Sequence, residues 1–315
     1  MPMGDPEPKS DMPSVSVVVV NWNGIDVLWE CLESVLSLEY PISEVVVVDN
    51  GSTDGSELLP SRLIGERAVA IRNSKNLGAP VGRNQGMRRA VDSGSDYVFT
   101  LDNDLTVACD AVGELVKVLE ADPSISMAGA LILFRDRPDV IQSAGNLVNW
   151  TQNLVRTLGA NQELSGQFVG CWDVDYVGSG AMLTRTGFIR KHGLFDETYL
   201  GYGYEDTEYG YRANRLGFRV VCVADAHVWH RPHTGVGRYT YRKKYLESRN
   251  AVLFMKRHGN AWRWTKYLTF LFLGFGYAAI REGARGNLGG VWGKMHGFFD
   301  GLRNYEKRAY RLMDK

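Results

Sequence analysis

Between residues 15 and 101 the chain alternates short apolar runs with longer segments whose apolar positions recur every three to four residues. Val15 to Val20 is almost wholly β-branched, the pattern of a strand buried on both faces of a parallel sheet. In residues 26–38, Val27, Leu28, Cys31, Leu32, Val35 and Leu36 fall at helical spacing. Val45 to Val48 predicts a second buried strand, and strands near 68–72 and from Tyr97 to Leu101 alternate with helices near 54–63 and 79–93. Such alternation predicts an α/β, Rossmann-like, mostly parallel sheet flanked by helices, which binds ligands beyond the carboxyl ends of its strands. After residue 105 the pattern loosens. It predicts a helix near 108–121, strands near 126–134 and 168–176, a turn at Gly178-Ser179-Gly180, a helix starting near Glu205 and a strand near 218–223. A helical C-terminal extension follows from residue 236.

Three polar clusters directly follow buried strands, so the sheet should bring them together: Asn21-Trp22-Asn23-Gly24, Asp49-Asn50-Gly51-Ser52-Thr53-Asp54 and Asp102-Asn103-Asp104. Each could be a turn with a helix cap, because Asn, Asp, Ser and Gly favour both. Two carboxylates at a strand end also suit a hard divalent cation that keeps positions open for phosphate oxygens. A second D-x-D, Asp173-Val174-Asp175, lies inside a predicted strand and reads as structural. Arg83 rides in the first turns of a helix entered through Asn76-Leu77-Gly78, either solvated or facing a base or phosphate. Glu205, Asp206 and Glu208 open another helix behind a Gly- and Tyr-rich loop. There the helix dipole would keep Asp206 ionised, and burial would restore its basicity. Glu208 and Arg212 are spaced as a helical ion pair. His230 ends the alternating run at His227-Val228-Trp229-His230 and is the better metal-ligand candidate among His227, His230 and His233.

Composition sharpens this picture through an asymmetry. The 315 residues carry 36 Lys+Arg against 36 Asp+Glu and are 44% hydrophobic, which excludes wholesale disorder and a dedicated nucleic-acid binder. Residues 1–230 carry 18 basic against 31 acidic residues, whereas residues 231–315 carry 18 against 5. An acidic body therefore precedes a basic tail. Cys31, Cys109, Cys171 and Cys222 are widely spaced and form no C-x-x-C pair, as in a reducing compartment. Residues 1–13, with four prolines and no apolar run, read as a disordered leader rather than a targeting segment. The charge-free apolar stretch Tyr267 to Ile280 spans 14 residues, short of the ~20 a spanning helix needs.

Taken in order, these residues resemble inverting family-2 glycosyltransferases. The resemblance rests on Val47-Val48-Asp49-Asn50-Gly51-Ser52-Thr53-Asp54, Arg83-Asn84-Gln85-Gly86, Asp102-Asn103-Asp104, Gly180-Ala181-Met182, Leu194-Phe195-Asp196-Glu197, Glu205-Asp206 and Val228-Trp229-His230. It covers roughly residues 14–255 and is most similar to bacterial rhamnosyltransferase-like members acting in cell-surface polysaccharide assembly. The resemblance implies a GT-A fold over residues 14–235, with a nucleotide-sugar half (14–105) and an acceptor half (106–235). It also implies a dTDP- or UDP-sugar donor, a glycan or lipid-linked acceptor and a divalent cation, Mn²⁺ or Mg²⁺. Donor-binding residues would be Asn21, Asn23, Asp49, Asn50, Ser52, Arg83, Asp102, Asn103 and Arg249, the last approaching the diphosphate. Asp104, Asp102 and His230 would hold the metal, Asp206 would be the base beside Glu205, and Gly180, Tyr204 and Trp172 would face the acceptor. One departure is Arg231-Pro232-His233-Thr234, where many relatives carry small residues and a serine.

The basic tail over 239–312 suits a helix lying on an anionic membrane surface, with Tyr241, Tyr245, Val252 and Met255 on one face of residues 239–258. It would equally suit packing on the body or a homo-oligomer contact. No nucleic-acid partner is expected, and the location would be cytoplasmic, peripheral to the inner face of the membrane. Two rival functions use the same residues. A sugar nucleotidyltransferase would need a Gly-rich, basic triphosphate loop after the first strand, which Asn21-Trp22-Asn23-Gly24 is not. A non-catalytic nucleotide-sugar or glycan-binding scaffold would not need Asp104, Asp206 and His230 together.

Overall fold

The structure, a computed structural model, describes residues 12–65, 68–151, 154–201, 203–231, 240–286 and 288–313. Most of the expected leader, and the departing loop from Pro232 to Thr234, lie outside the described residues.

The apolar runs form the centre of one sheet. Strands β1 (Val15–Asn21), β2 (Ile42–Asp49), β3 (Ala68–Arg72) and β4 (Tyr97–Asp102) lie parallel in the order β4-β1-β2-β3. Helices α1 (Ile25–Leu36), α2 (Leu59–Leu63) and α3 (Ala79–Asp92) provide the crossovers. Alternation within β1 divides the core. Val17 and Val19 pack with Leu28, Cys31 and Leu32 of α1, whereas Val18 faces Met87 and Ala90 of α3. The parallel register sets Asn21 opposite Asp49, and Val20 opposite Asp102, at one end of the sheet.

The second half departs from a simple parallel repeat. After β5 (Leu105–Val107), α4 (Ala111–Ala121) and β6 (Ile125–Phe134) come the short strands β7 (Ile141–Ser143), β8 (Asn146–Val148), β9 (Val155–Thr157) and β10 (Cys171–Asp173). Strand β11 (Ala181–Arg185) runs antiparallel between β4 and β6 and joins the two halves of the sheet. Helices α5 (Thr186–His192) and α6 (Glu205–Arg215) lead into β12 (Arg219–His230). This last strand is longer than the 218–223 expected, and it contains both His227 and His230. Beyond a register shift after Val223 it pairs again with β6, from His227 onward, and with β5, so backbone pairing carries it past its apolar stretch. The D-x-D at 173–175 is structural, as expected: Asp173 pairs with Arg219 at 2.7 Å and Asp175 accepts from the Val148 N–H at 2.6 Å.

The tail folds into α7 (Tyr241–His258), α8 (Ala261–Gly283), α9 (Gly289–Arg303) and α10 (Lys307–Met313). Tyr245, Val252 and Met255, expected on a membrane-facing surface of α7, are instead buried. The reason is a close approach of α9. A Cβ on Gly293 or Gly297 would lie 2.3 Å from the Tyr241 carbonyl oxygen or 2.1 Å from that of Tyr245, so only glycine lets the two backbones meet. Exposed apolar side chains appear on α8 instead, with Trp262, Phe272, Leu273, Tyr277 and Ile280 between 66% and 77% exposed. No described helix is long and apolar enough to cross a membrane.

Candidate active site

At the carboxyl ends of β1 and β2 the polar residues hydrogen-bond one another. Asn21 donates to Asp49 (3.2 Å), Ser52 (3.2 Å) and Ser56 (2.8 Å), and accepts from Asn103 at 2.8 Å. Ser52 accepts from the Asn23 N–H at 2.9 Å, and Asn23 accepts from the Thr53 N–H. Asn50 clasps the loop before α3, accepting from Leu77 N–H and donating to the Gly78 carbonyl, both at 3.1 Å. The Asn50 N–H donates to the Asn21 carbonyl at 2.7 Å, so Asn21, Asn23, Asp49, Asn50, Ser52 and Asn103, six of the expected donor-binding residues, form one network, and none of them lines the two cavities described next.

A cavity of about 450 Å³ opens beside that network, lined by Arg83, Asp102, Asp104, Gly180, Glu205, Asp206 and His230 among others. Arg83 is its hinge: it donates to Asp102 at 2.5 Å and to Glu205 at 3.2 Å, and so ties the end of β4 to the start of α6. Burial works against the guanidinium's charge, but Asp102 and then Glu205 outweigh it and raise its pKa. Gly180 presses against Asp102; an added Cβ would lie 2.4 Å from its Oδ2.

Strand pairing brings together Asp104 and His230, two of the residues expected to hold a metal. His230 lies opposite Leu105 across β12 and β5, and the Arg231 N–H donates to the Asp104 carbonyl at 3.0 Å. His230 Nε2 consequently sits 3.1 Å from Asp104 Oδ2, while Nδ1 is 2.8 Å from Gln142 Oε1 on β7. In the tautomer that donates from Nδ1 to the Gln142 amide oxygen, Nε2 keeps its lone pair beside the Asp104 carboxylate, so the two side chains can share a cation. The donor set therefore fits a divalent cation completed by phosphate oxygens and water. Among the described residues no group of three or more His, Cys, Asp or Glu gathers to hold a metal without such outside ligands.

The loop before α6 shapes the acid pair. Gly201 (φ 77°), Gly203 (φ 81°) and Tyr204 (φ 75°) take left-handed backbone, costly for the tyrosine, and turn the chain sharply into the helix. Burial, then Asp206, push Glu205 up to about 7 against the pull of Arg83. Burial also raises Asp206, against hydrogen bonds from Thr207 and the charge of Arg83. Burial thus offsets the helix dipole at Asp206, in the direction the sequence predicts. Asp206 and Gly203 line the 450 Å³ cavity and also a larger one of about 730 Å³, bounded by Tyr204, Tyr176, β9 and the C-terminal helices.

The sequence profile of glycosyl transferase family 2 matches residues 16–190. The chain belongs to that family. Among curated relatives, the glycosyltransferase GlyG of Streptococcus pneumoniae is 26% identical over 70% of this chain and 71% of its own length. The poly-beta-1,6-N-acetyl-D-glucosamine synthase of Staphylococcus aureus is 23% identical over 53% of this chain, but only 44% of the synthase is covered. Among solved structures, the mannosyltransferase PcManGT from Pyrobaculum calidifontis, in complex with GDP-Man and Mn²⁺, superposes with a TM-score of 0.59 at 18% identity, covering 94% of this chain and 88% of that one. The family 2 chain thus has the GT-A fold expected from its motifs.

Two expected site residues lie elsewhere. Arg249 is almost fully buried, donating to the Thr198 carbonyl at 3.0 Å and facing Glu306 at 3.4 Å, because α7 runs under the loop before α6 rather than past the donor cavity. Its neighbour Asn250 donates to the carbonyls of Leu200 (3.1 Å) and Gly203 (3.0 Å), so this pair holds the loop that presents Asp206. Trp172 sits on edge strand β10, donating to the Ala144 carbonyl and stacked on Phe168, and lines neither cavity. Gly180 and Tyr204 do reach the cavities, on opposite sides of Asp206. Sequence reasoning missed Gln142, a lone glutamine on a three-residue strand with no motif around it.

Proposed function

We propose that this family 2 protein is an inverting, divalent-cation-dependent glycosyltransferase. In this reading it moves a sugar, rhamnose, from a dTDP- or UDP-linked donor to a hydroxyl of a growing cell-surface glycan or lipid-linked oligosaccharide. The observation that carries the reading is the place of Asp206 at the junction of two cavities, one lined by Asp104 and His230 and the other by Tyr204 and the C-terminal helices.

Inversion needs one in-line displacement. The Asp206 carboxylate takes the proton of the acceptor hydroxyl while its oxygen attacks the anomeric carbon. The bond from that carbon to the diphosphate oxygen breaks, and the nucleoside diphosphate leaves with the electron pair. Burial raises the basicity of Asp206, as proton abstraction near neutral pH requires. Glu205, anchored to Arg83, fixes the first turn of α6 and hence the base. Asp104 and His230 would hold the divalent cation, which when bound supplies positive charge to the departing diphosphate. Asp49 and its network would receive the nucleobase. The apolar outer face of α8, with Lys266, Arg281 and Arg285, would rest on an anionic membrane surface at the cytoplasmic side.

The decisive test is Asp206→Asn. Transfer should fall ~10²–10⁴-fold, the usual worth of a general base, while nucleoside-diphosphate affinity stays at the parent value. Parent-level turnover in this variant would remove Asp206 from the mechanism.

A further inference from the structure

The 730 Å³ cavity gathers basic side chains from three helices of the tail. Lys244 from α7, Arg281 from α8 and Lys294 from α9 all line it, whereas Glu247 and Asp206 are the carboxylates among its described lining residues. Lys244 contacts Glu247 at 2.6 Å, and Arg281 reaches Glu282 through Nε at 2.8 Å. The glycine-mediated approach of α9 to α7 brings Lys294 beside Lys244. Burial first, and then the Lys244 ammonium, bring Lys294 down to about 8. Glu247 offsets part of the repulsion between these two ammonium groups but less than Lys244 contributes, and an anion bound between them would relieve the remainder. A phosphoryl group, with about two charges and several acceptor oxygens, matches two point-charge ammoniums and a guanidinium better than a single carboxylate does. Tyr277, at the same cavity, is 66% exposed and continues into the apolar outer face of α8.

We infer that this cavity is an acceptor subsite for a phosphoryl-bearing acceptor, whose phosphate is held by Lys244, Lys294 and Arg281 while its hydroxyl faces Asp206. The inference rests on the glycosyltransferase reading above for the word acceptor, but the anion site stands on its own residues. The phosphate could belong to a lipid carrier or to a water-soluble glycan.

Binding of inorganic phosphate, a hexose 1-phosphate and geranyl phosphate to the full-length chain tests this, with chelator present to remove metal-bridged contacts at Asp104 and His230. Geraniol and the free hexose serve as phosphate-free controls. Lys244→Gln and Lys294→Gln should each weaken the phosphate-bearing probes about tenfold or more, the effect of losing one charge-assisted contact. Lys→Arg at the same positions should restore most of the affinity, and nucleoside-diphosphate affinity with Mn²⁺ should stay at the parent level. Tighter binding of geranyl phosphate than of hexose 1-phosphate would identify a lipid-linked source, and equal binding a soluble one. Unchanged phosphate affinity in the double Gln variant would overturn the subsite, as would geraniol binding as tightly as geranyl phosphate. Failure of the glycosyltransferase reading would look different: no nucleotide sugar would bind the parent protein, whatever happens at Lys244 and Lys294.

Discussion

Replacing Glu205 by Gln should stabilise this protein at alkaline pH, although the residue belongs to its candidate active site. The carboxyl titrates near 4.5 in an unfolded chain and is pushed up to about 7 in the folded one, first by burial and then by Asp206. A carboxyl whose pKa rises on folding favours the folded state below its unfolded value, and that contribution is lost as pH climbs to 7. At about 1.4 kcal/mol for each tenfold change in proton affinity, the loss amounts to roughly 3 kcal/mol above pH 7. Glutamine mimics the neutral carboxyl, and its amide oxygen can keep the 3.2 Å contact with Arg83, which remains paired to Asp102. Glu205→Gln should therefore gain roughly 3 kcal/mol at pH 8 and almost nothing at pH 4.5. With about 2.1 cal/mol/K of unfolding entropy per residue, a chain of this length should show a rise in Tm of about 5 °C at pH 8. Denaturant melts of both proteins at pH 4.5, 6 and 8 would measure the difference. A variant less stable than the parent at pH 8, or one with the same gain at pH 4.5, would refute the argument that burial of this charge opposes folding.

Asp104→Ala should lower donor affinity and abolish any response of activity to added Mn²⁺ or Mg²⁺. Full parent activity in chelator would count against the cation at Asp104 and His230. Gly297→Ala would place a Cβ 2.1 Å from the Tyr245 carbonyl oxygen and should cost about 1–3 kcal/mol in a thermal or denaturant melt by forcing α7 and α9 apart. Because Phe272 and Ile280 are 70% and 77% exposed, the double change to Ser should leave Tm within about 1 °C of the parent while reducing co-sedimentation with anionic vesicles; unchanged sedimentation would reject α8 as the membrane face.

The alternation of short β-branched runs with helical periods is enough to place β1 to β4 and α1 to α3: β1, β2 and β4 are buried runs too short for a helix, and β3, partly exposed at the sheet's edge, follows from the alternation itself. The ends of those strands located Asn21, Asp49, Asp102 and Asp104 by a rule of sheet topology. Strand β11 has no signature in the sequence because its five residues carry no period long enough to read, yet it joins the two halves of the sheet. The apolar run of β12 is interrupted by Asp225 and His227, which hides its full length in the sequence, whereas pairing with β5 and β6 carries it on to His230.

What the residues alone determined, then, was the order of elements, the side of the sheet on which chemistry would gather, and an acidic body followed by a basic tail. Only the tertiary structure decided what the tail does with its charge. Arg249 turned from the diphosphate to the carbonyl of Thr198, and Lys244 and Lys294, fifty positions apart, met in one cavity beside Asp206. Local periodicity shows which face of a helix is buried. Which partner buries it depends on contacts such as glycines 293 and 297 against the backbone of α7, and these have no signature until both helices are in place.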